Sequence, residues 1–432
     1  MGDGLPQVRP LIEENRAQLE RQLGGPFLFG SPGPEDGMWV IRVAGAVGRL
    51  HHDPASQALI AEGPDSDSVF DAISLLPDLW KAPGETLVVE DCQTPAEAAA
   101  RIEASTAVSW PSFELRGIDW RARCEHWIPR VIGAEDPVGA MKRWVATLDD
   151  GHTAVRPVET PGRLPYRAEM QGSDIILIEV PADTAGYEAG ARPGDALLGV
   201  DVERLAVEQA GRPHSHALLV GLSSLRGPAG DSRELRTNSG ACWVEEYALA
   251  PWPDPLEVSR LDDGRGYIRL RAWMPALEDD LHSAIDEMSD LPGLVFDLRG
   301  NGGGNYLMAT RARGRFLDRS RQVGWIRYRH PAGALTELEP ITAETSERPT
   351  WDKPLTVLID PETYSASEDF LMGLGEQRNV RLLGEASGGG SGRLRSVRLL
   401  PGWQLTITTC HTFTNGRQII EGVGHQVDGP LP

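Results

Sequence analysis

The chain has 432 residues with a formal net charge of −21, and 40% of the residues are hydrophobic. This length exceeds what one hydrophobic core usually serves, so we expect two to four domains of a soluble globular protein. The acidic balance argues against a nucleic acid or an anionic membrane surface as a partner. Lysine occurs only at Lys81, Lys142 and Lys353.

The spacing of the cysteines and the composition of the N-terminal segment indicate the cellular compartment. The four cysteines lie far apart with no C-x-x-C pair, which favours scattered thiols over a zinc site or a disulfide framework. The N-terminal segment lacks the apolar stretch of a signal peptide, and no run approaches the roughly 18 apolar residues of a membrane span. We therefore expect a cytoplasmic protein. The cysteines are Cys92, Cys124, Cys242 and Cys410.

The N-terminal third is predicted to contain helices and one short strand. Residues 1–110 begin with an amphipathic helical pattern, followed by a Gly- and Pro-rich stretch and a strand at Met38–Val43. This segment shows no recognisable chemistry. Residues 110–148 have apolar side chains at helical spacing. The acidic pair and the glycine of Asp149–Gly151 are predicted to end the last helix, directly before His152.

From residue 170 onward the patterns predict strands, first alone and then alternating with helices. Short strands are expected up to about residue 250, among them Ile175–Val180 and Ala196–Val200. From about residue 256 buried apolar runs alternate with helical patterns, which is typical of an α/β core with parallel strands covered by helices. In this core we predict strands at Tyr267–Leu270, Leu294–Leu298, Pro354–Ile359 and Val380–Leu383, and helices at Pro275–Met288 and after Ser365.

A serine follows one of the buried runs. Ser365 lies between the predicted strand Pro354–Ile359 and a helical pattern, at a strand-to-helix turn where α/β proteins expose nucleophiles. A serine hydroxyl attacks a carbonyl only when a neighbouring base takes its proton. Ser365 also fits a purely structural role, because Ser365 and Glu368 form a capping-box pattern. The two roles are compatible, since a helix N-terminus also stabilises an oxyanion.

A glycine-rich loop follows another buried strand. Residues 300–304 read Gly-Asn-Gly-Gly-Gly. Such a run allows backbone N–H groups to point at a developing negative charge, although a flexible turn has the same composition. Sites in α/β sheets gather at the carboxyl ends of strands, so the position of this loop favours a functional role.

Several segments together resemble the C-terminal-processing (tail-specific) serine peptidase family. The resemblance extends over residues 112–432 and keeps the domain order of the family, while residues 1–110 lie outside it. One segment has the Gly-x-x-Pro-Gly-Asp-x-x-Leu pattern of a PDZ-like domain. The segments that carry the resemblance are Ile118–Trp120, Leu148–Thr153, Gly190–Leu198, Asp297–Gly304, Ser365–Glu368, Gly384–Glu385 and Glu421–Asp428.

The resemblance implies a multidomain α/β protein. Its catalytic part would be a crotonase- or ClpP-like α/β core, preceded by a helical segment and a PDZ-like β-rich domain. The implied division is an N-terminal α+β domain of unknown role at 1–110, a helical segment with the catalytic histidine at 111–165, the PDZ-like domain at 166–255 and the serine peptidase core at 256–432.

The family has two catalytic designs, and the sequence favours one of them. In one branch a lysine downstream of the serine is the general base, but Gly390 stands in that place and no lysine follows Lys353. In the other branch, which includes the core of tricorn protease, a histidine of the helical segment is the base. His152 matches that histidine, and a neutral imidazole suits this role near neutral pH. A lone histidine in a loop otherwise has a structural or solvated role.

The resemblance also implies the orienting acid. Glu421 matches the acid that orients the histidine in this family. In the tricorn-like pattern a serine precedes the histidine, whereas Gly151 precedes His152 here. The coupling between Glu421 and His152 therefore stays open, with Thr153 or a water molecule as an intermediate. The structural alternative for Glu421 is an exposed carboxylate in a turn.

The oxyanion site and two rival bases complete the set of candidates. By resemblance, the backbone N–H groups of Gly304 and Ala366 would stabilise the oxyanion. His411 and His425 are the rival bases near the C-terminus, and His425 stands where the family has an aliphatic residue.

The sequence thus predicts a serine endopeptidase that forms an acyl-enzyme on Ser365, with His152 as general base and without a metal or organic cofactor. The expected partner is a peptide or unfolded protein, which the PDZ-like domain would bind at a sheet edge. The oligomeric state stays open, a homo-oligomer included. Two alternatives remain: a non-catalytic binding protein for a peptide or an apolar ligand, and a maturase or acyl transferase for one precursor peptide.

Overall fold

We analysed the protein through a computed structural model. It describes residues 91–159, 161–209, 216–249, 254–329, 334–390 and 392–431, and the backbone of four strands before them. The four strands form one sheet in the order β1-β3-β2-β4, with β1 parallel to β3. The predicted strand Met38–Val43 is confirmed as β1, and the amphipathic helix predicted before it lies outside the described residues. The strands are β1 Trp39–Val43, β2 Arg49–Asp53, β3 Ala58–Gly63 and β4 Thr86–Val88.

Four helices follow this sheet, as the apolar spacing predicted for most of the segment. Three of them start at a side-chain cap: Thr94, Asp119 and Asp136 each accept a hydrogen bond from a backbone N–H in the first turn. Trp110 and Trp144 are fully buried between the helices. The helices are α1 Pro95–Ser109, α2 Phe113–Arg116, α3 Trp120–Ile132 and α4 Pro137–Ala146.

The next region contains short strands, as predicted, but also three helices that were not predicted. In α7 the side chains are apolar nearly all round, and Gly221 lets the helix backbone approach β7, since a Cβ there would clash with the Ala168 carbonyl. The strand predicted at Ala196–Val200 ends early, at Leu197. The elements are β5 Ala154–Pro157, β6 Gly162–Arg163, β7 Arg167–Gln171, β8 Asp174–Glu179, α5 Ala185–Glu188, β9 Ala196–Leu197, α6 Val202–Glu208, α7 His216–Ser224, β10 Arg226–Gly227, β11 Ser232–Arg236 and β12 Cys242–Glu246.

The last region holds the central sheet of the protein. After a 3-10 turn at Pro275–Leu277, helices and strands alternate as predicted. The elements are β13 Leu256–Arg260, β14 Gly266–Leu270, α8 Glu278–Glu287, β15 Leu294–Asp297, α9 Tyr306–Gly314, β16 Arg321–Tyr328, β17 Glu339–Ala343, β18 Leu355–Ile359, α10 Ala366–Leu371, β19 Val380–Gly384, β20 Leu394–Arg398, β21 Trp403–Thr408 and β22 Cys410–Phe413.

The central sheet has the order β13-β14-β15-β18-β19. The strands β14, β15, β18 and β19 are parallel, and β13 is an antiparallel edge strand. Every residue of β15 is buried, as expected of a parallel strand covered on both faces. Phe296 of β15 contacts Phe316 and Phe370, with ring centroids 6.1 and 5.3 Å apart. The predicted α/β core is confirmed.

The C-terminal strands join the core to the helices. β21 pairs with β5 in an antiparallel register, so that β20, β21 and β5 form one small sheet. Leu405 and Ile407 of β21 are fully buried in the same hydrophobic cluster as Trp110 and Trp144. The region after His152 is therefore held by residues that lie some 250 positions later in the chain.

Two general properties complete the description. All four cysteines are free thiols; Cys92, Cys124 and Cys410 are buried and Cys242 is exposed. None of the helices in the described part of the chain has the length and hydrophobicity that a membrane span needs.

A buried histidine joins β22 to the helices and makes stability depend on pH. The His411 ring lies 2.7 Å from the Ser112 hydroxyl, and burial with the nearby Arg327 lowers the pKa of His411 from 6.5 to about 4. On acidification the unfolded chain therefore binds a proton at His411 before the folded chain does. The stabilisation that the buried, neutral His411 gives to the folded state is complete above about pH 6.5 and is lost as the pH falls through about 4. We expect the melting temperature of the wild type relative to His411→Gln to decrease over that interval.

Thermal unfolding of both proteins between about pH 7 and pH 4 tests this expectation. His126→Gln is the matched control, because His126 is exposed on α3. A difference between wild type and His411→Gln that stays constant over the interval would contradict it.

Candidate active site

Ser365 occupies a strained turn between β18 and α10. Its φ and ψ are +59° and −122°, a conformation that costs a non-glycine residue of the order of 1–3 kcal/mol. The carboxylate of Asp360 holds the turn, because its Oδ1 accepts from the N–H groups of Gly300, Glu362 and Thr363 at 3.0–3.1 Å. The same carboxylate thereby fixes both the serine turn and the start of the glycine loop.

Glu368 fastens the serine turn from the other side. Its carboxylate accepts hydrogen bonds from the backbone N–H of Ser365 at 3.3 Å and of Gly390 at 2.6 Å, and from the Ser387 hydroxyl at 2.6 Å. Burial raises the pKa of Glu368 to about 7, although these donors favour the charged form. The predicted capping box required only the contact between Glu368 and Ser365. Glu368 in addition joins the serine turn to residues 387–390.

The glycine loop lies directly against Ser365. Gly303 and Gly304 have φ of +104° and +134°, and a Cβ on Gly303 would stand 2.6 Å from the Cβ of Ser365. The Gly303 N–H donates to the Asn301 side chain. In the described part of the chain the N–H groups of Gly304 and Ala366 donate no hydrogen bond. They are thus available to an oxyanion, as the predicted role requires.

The loop that carries His152 is built on a buried carboxylate. Asp150 is fully buried and accepts from the N–H groups of His152 and Thr153 at 2.9 and 3.1 Å and from the Trp110 indole at 2.7 Å. Burial alone would raise the pKa of Asp150, but the nearby His152 and these donors outweigh it and hold the pKa below its ordinary value. In addition, the Thr406 hydroxyl of β21 donates to the His152 carbonyl at 2.8 Å.

Tyr364 packs between this loop and the serine. Its ring lies 4.7 Å from the His152 ring, with an angle of 33° between the planes. A Cβ on Gly151 or on Gly390 would clash with the Tyr364 phenol, and a Cβ on Gly388 would stand 2.7 Å from its ring. Tyr364 therefore fills the space where both designs of the family place a side chain: the lysine at Gly390 and the serine at Gly151.

Glu421 is buried in the same cleft, not exposed in a turn. Its Oε1 accepts from Arg116 at 2.8 Å, and Arg116 also donates to Asp149 at 3.0 Å. Burial, together with the nearby Asp150 carboxylate, raises the pKa of Glu421 well above its ordinary value. Thr153 donates its hydroxyl to Asp150 at 2.8 Å, so the observed connection between Glu421 and the histidine loop runs through Arg116.

One cleft of about 360 Å³ is lined by three of the candidate residues, His152, Gly304 and Glu421. Ser365 is not among the lining residues of this cleft, and it lies against Gly303, which is one of them. In the described residues no group of three or more His, Cys, Asp or Glu side chains could hold a metal ion. The roles assigned to the individual residues stay predictions. The cleft is lined, among others, by Gly151, His152, Gly302, Gly303, Gly304, Tyr364, Gly388, Gly389 and Glu421.

The two rival histidines have structural contacts elsewhere. The backbone N–H of His425 donates to the Ser387 hydroxyl at 2.7 Å, and the side chain is buried. Burial lowers the pKa of His425 to about 4. His411 contacts Ser112, as described above. These contacts support both histidines as structural residues.

Several residues of the site were not predicted from the sequence. Arg116 and Tyr364 lie in segments without a recognisable motif for their contacts. Arg167 of β7 donates to Asp360 at 2.6 Å and to Glu362 at 3.0 Å, which connects the PDZ-like region to the serine turn. The sequence offered no signal for this contact, because the partners lie nearly 200 positions apart.

The parallel sheet, the strained serine turn and the glycine loop belong to one α/β core. Residues 264–429 match the family model described as Peptidase family S41. The resemblance of the chain to C-terminal-processing serine peptidases is thereby confirmed. The choice of the tricorn-like catalytic design stays a prediction, which rests on the missing lysine and on His152.

Relatives and solved structures agree with this assignment. The carboxy-terminal processing protease CtpA of Bacillus subtilis is 23% identical over 315 residues, 68% of this chain and 64% of that protein. The carboxyl-terminal-processing protease of Synechocystis is 25% identical over 338 residues, 72% of this chain and 74% of that protein. The chain thus spans just under two thirds of the Bacillus relative.

A solved structure shows the same fold. The photosystem II D1 C-terminal processing protease superposes with a TM-score of 0.55 at 18% identity, over 79% of this chain and 94% of that one. The predicted multidomain α/β fold class is therefore confirmed, while the predicted domain boundaries stay predictions.

The packing of Tyr364 can be tested with two glycines. Gly390→Ala places a methyl group inside the Tyr364 ring position, so we expect a loss of about 1–3 kcal/mol of stability from overpacking. Gly302→Ala is the control, because no atom lies within 4 Å of its Cβ position. Thermal unfolding measures both variants. Equal stability of Gly390→Ala and Gly302→Ala would contradict the packing of the Tyr364 ring against Gly390.

Proposed function

We propose that the chain is a serine endopeptidase with Ser365 as its nucleophile. The observation that carries this proposal is the strained turn of Ser365, which lies against Gly303 of the glycine loop and directly precedes the N–H group of Ala366. Stored backbone strain of this kind is typical of functional residues and has no use in an ordinary helix cap. The match to peptidase family S41 supports the same function.

The proposed reaction uses His152 as general base. The Ser365 hydroxyl attacks the scissile carbonyl carbon and its proton passes to His152, while the N–H groups of Gly304 and Ala366 stabilise the negative charge on the oxygen. The C–N bond then breaks, and the leaving amine takes the proton from His152. A water molecule, deprotonated by His152, attacks the acyl-enzyme and releases the acid with the serine regenerated.

Glu421 and Tyr364 would orient the base. The Tyr364 ring restricts the imidazole plane, and the buried Glu421 connects to the histidine loop through Arg116 and Asp149. Burial raises the pKa of Glu421 while Arg116 donates to its Oε1, so Glu421 would act on His152 indirectly, through Arg116 and the histidine loop.

The substrate class follows from the relatives in outline. The names of the Bacillus and Synechocystis proteins describe the processing of carboxyl-terminal segments. By analogy we propose peptides or unfolded protein tails as substrates, bound along a sheet edge of the PDZ-like region. A cytoplasmic location is a further proposal that rests on the sequence alone, and the oligomeric state stays open.

Covalent labelling tests the nucleophile. A fluorophosphonate should label the wild-type protein on Ser365, and Ser365→Ala should abolish the labelling. Ser367→Ala is the matched control, because Ser367 is buried nearby and its hydroxyl donates to the Asn301 carbonyl. Labelling of Ser365→Ala at the wild-type rate would assign the reaction to another residue. Absence of labelling in the wild type would favour a non-catalytic binding protein.

Peptidase kinetics test the base. His152→Ala should lower kcat by about 10⁴-fold or more, because serine and base act as a unit. The wild-type rate should fall on acidification as the imidazole becomes protonated. His126→Ala, an exposed histidine of α3, should keep the wild-type rate. Normal turnover of His152→Ala with loss in His425→Ala would move the base to His425.

A further inference from the structure

Arg116 is the last residue of α2, a single helical turn that is anchored at both ends. Phe113 at the start of α2 is buried, and its ring centroid lies 4.8 Å from that of Trp110. Beyond the other end Gly117 adopts a φ of +62°, and the N–H of Ile118 donates to the Phe113 carbonyl at 2.9 Å. The backbone that carries the Arg116 side chain is therefore fixed against the hydrophobic cluster of the helices.

The guanidinium of Arg116 bridges two carboxylates from distant parts of the chain. One of its terminal nitrogens donates to Asp149 at 3.0 Å, and the other donates to Glu421 at 2.8 Å. A planar guanidinium presents these donors in a fixed geometry, which the single ammonium group of a lysine does not reproduce. The side chains of Arg116 and Glu421 are only 15% and 2% exposed, so water screens their contact far less than that of an exposed ion pair.

Asp149 turns the chain from the end of α4 into the loop of His152. Its φ is +51°, a left-handed conformation that is unfavourable for most residues with a Cβ. Its N–H donates to the Ala146 carbonyl at 3.0 Å, and the next residue, Asp150, accepts from the N–H groups of His152 and Thr153. A change in the backbone of Asp149 would therefore move the whole loop, and the imidazole of His152 with it.

Arg116 also supplies a positive charge to a group of carboxylates beside the proposed base. Asp149 and Asp150 are neighbours in the chain, and the charge of Asp150 contributes to the raised pKa of Glu421. The nearby Arg116 acts against that increase of the pKa. Without the guanidinium, Asp149 and Glu421 would each lose a charged partner in a site that is largely closed to water, which is costly for a buried carboxylate.

We propose that Arg116 is a positioning residue for the reaction. Through its bond to Asp149 it holds the loop of His152 in the conformation in which the imidazole lines the cleft, and its bond to Glu421 holds the guanidinium in place. Arg116 thus acts on the loop, and through the loop on the imidazole. The proposal rests on the proposed function only in naming His152 the general base.

Histidine-selective NMR tests this role without any turnover. The imidazole of His152 lies 4.7 Å from the Tyr364 ring, so its proton resonances carry a ring-current shift that depends on the position of the loop. The signal is identified by its loss in His152→Ala. In Arg116→Gln we expect it to move toward the signal of the exposed His126, and in Arg116→Lys, which keeps the charge, to move less. The buried His282 of α8 is the internal reference for an intact core.

An unchanged His152 signal in Arg116→Gln overturns the proposal. A moved signal supports it only if the signal of His282 stays in place, and loss of both signals overturns a local role for Arg116. Arg121→Gln is the matched control, because it removes an exposed arginine of α3 that pairs only with Glu125, and it should leave the His152 signal unchanged.

Two further backgrounds identify the carboxylate through which Arg116 acts. Asp149→Asn removes the charge but keeps a residue type that tolerates the left-handed conformation. If Arg116 acts through Asp149, then Arg116→Gln has little further effect on the His152 signal in Asp149→Asn, because coupled residues are not additive. Its effect should persist in Glu421→Gln. The opposite pattern overturns the link through Asp149.

Peptidase kinetics connect this position to the proposed reaction. Arg116→Gln should lower kcat by about 10- to 100-fold with KM nearly unchanged, because a displacement of a catalytic group by about 1 Å costs on the order of 10²-fold in rate. Arg116→Lys should restore part of the loss. A wild-type kcat in a variant whose imidazole signal has moved would overturn the positioning role.

These outcomes separate this proposal from the peptidase proposal. If the wild type does not react with a fluorophosphonate but the His152 signal still requires Arg116, the peptidase proposal fails and the role of Arg116 in holding the loop stands. If labelling occurs on Ser365 and the signal does not depend on Arg116, the opposite holds.

Discussion

The structure around the proposed site depends on one buried carboxylate. Asp150 accepts hydrogen bonds from Trp110 at the end of α1, from the histidine loop and from Thr408 at the end of β21. A buried charge is tolerated only when its oxygens are fully paired, and here the donors come from three separate parts of the chain. Removal of any one donor leaves a charge that the interior cannot solvate. The position of His152 is therefore tied to the packing of the helices and of the C-terminal strands.

The missing lysine has a physical counterpart in the packing of Tyr364. Glycines at 151, 388 and 390 leave room for one aromatic ring, and no larger residue fits at 390 while that ring is present. The ring contacts His152 and adjoins the serine turn, so it joins the two parts that the proposed reaction must bring together. A lysine at position 390 and the Tyr364 ring in its observed position thus exclude each other.

The sequence predicted the central sheet well, because its strands are buried on both faces and appear as continuous apolar runs. It also pointed to Ser365, the glycine loop and His152, since each follows a buried element or matches a motif. It failed for α7, because side chains that are apolar nearly all round leave no helical periodicity to recognise. Contacts such as that of Arg167 with Asp360 depend on the docking of two regions, which no local pattern encodes.

The pairing of β5 with β21 has a consequence for biosynthesis. The loop of His152 is fixed by residues 403–408, and Glu421 follows still later, so a nascent chain lacks these supports until residues 403–421 have left the ribosome. Domains otherwise tend to fold in order from the N-terminus during translation. If the proposed activity is correct, the proposed base is held in place only after residues 403–408 have been synthesised and have paired with β5.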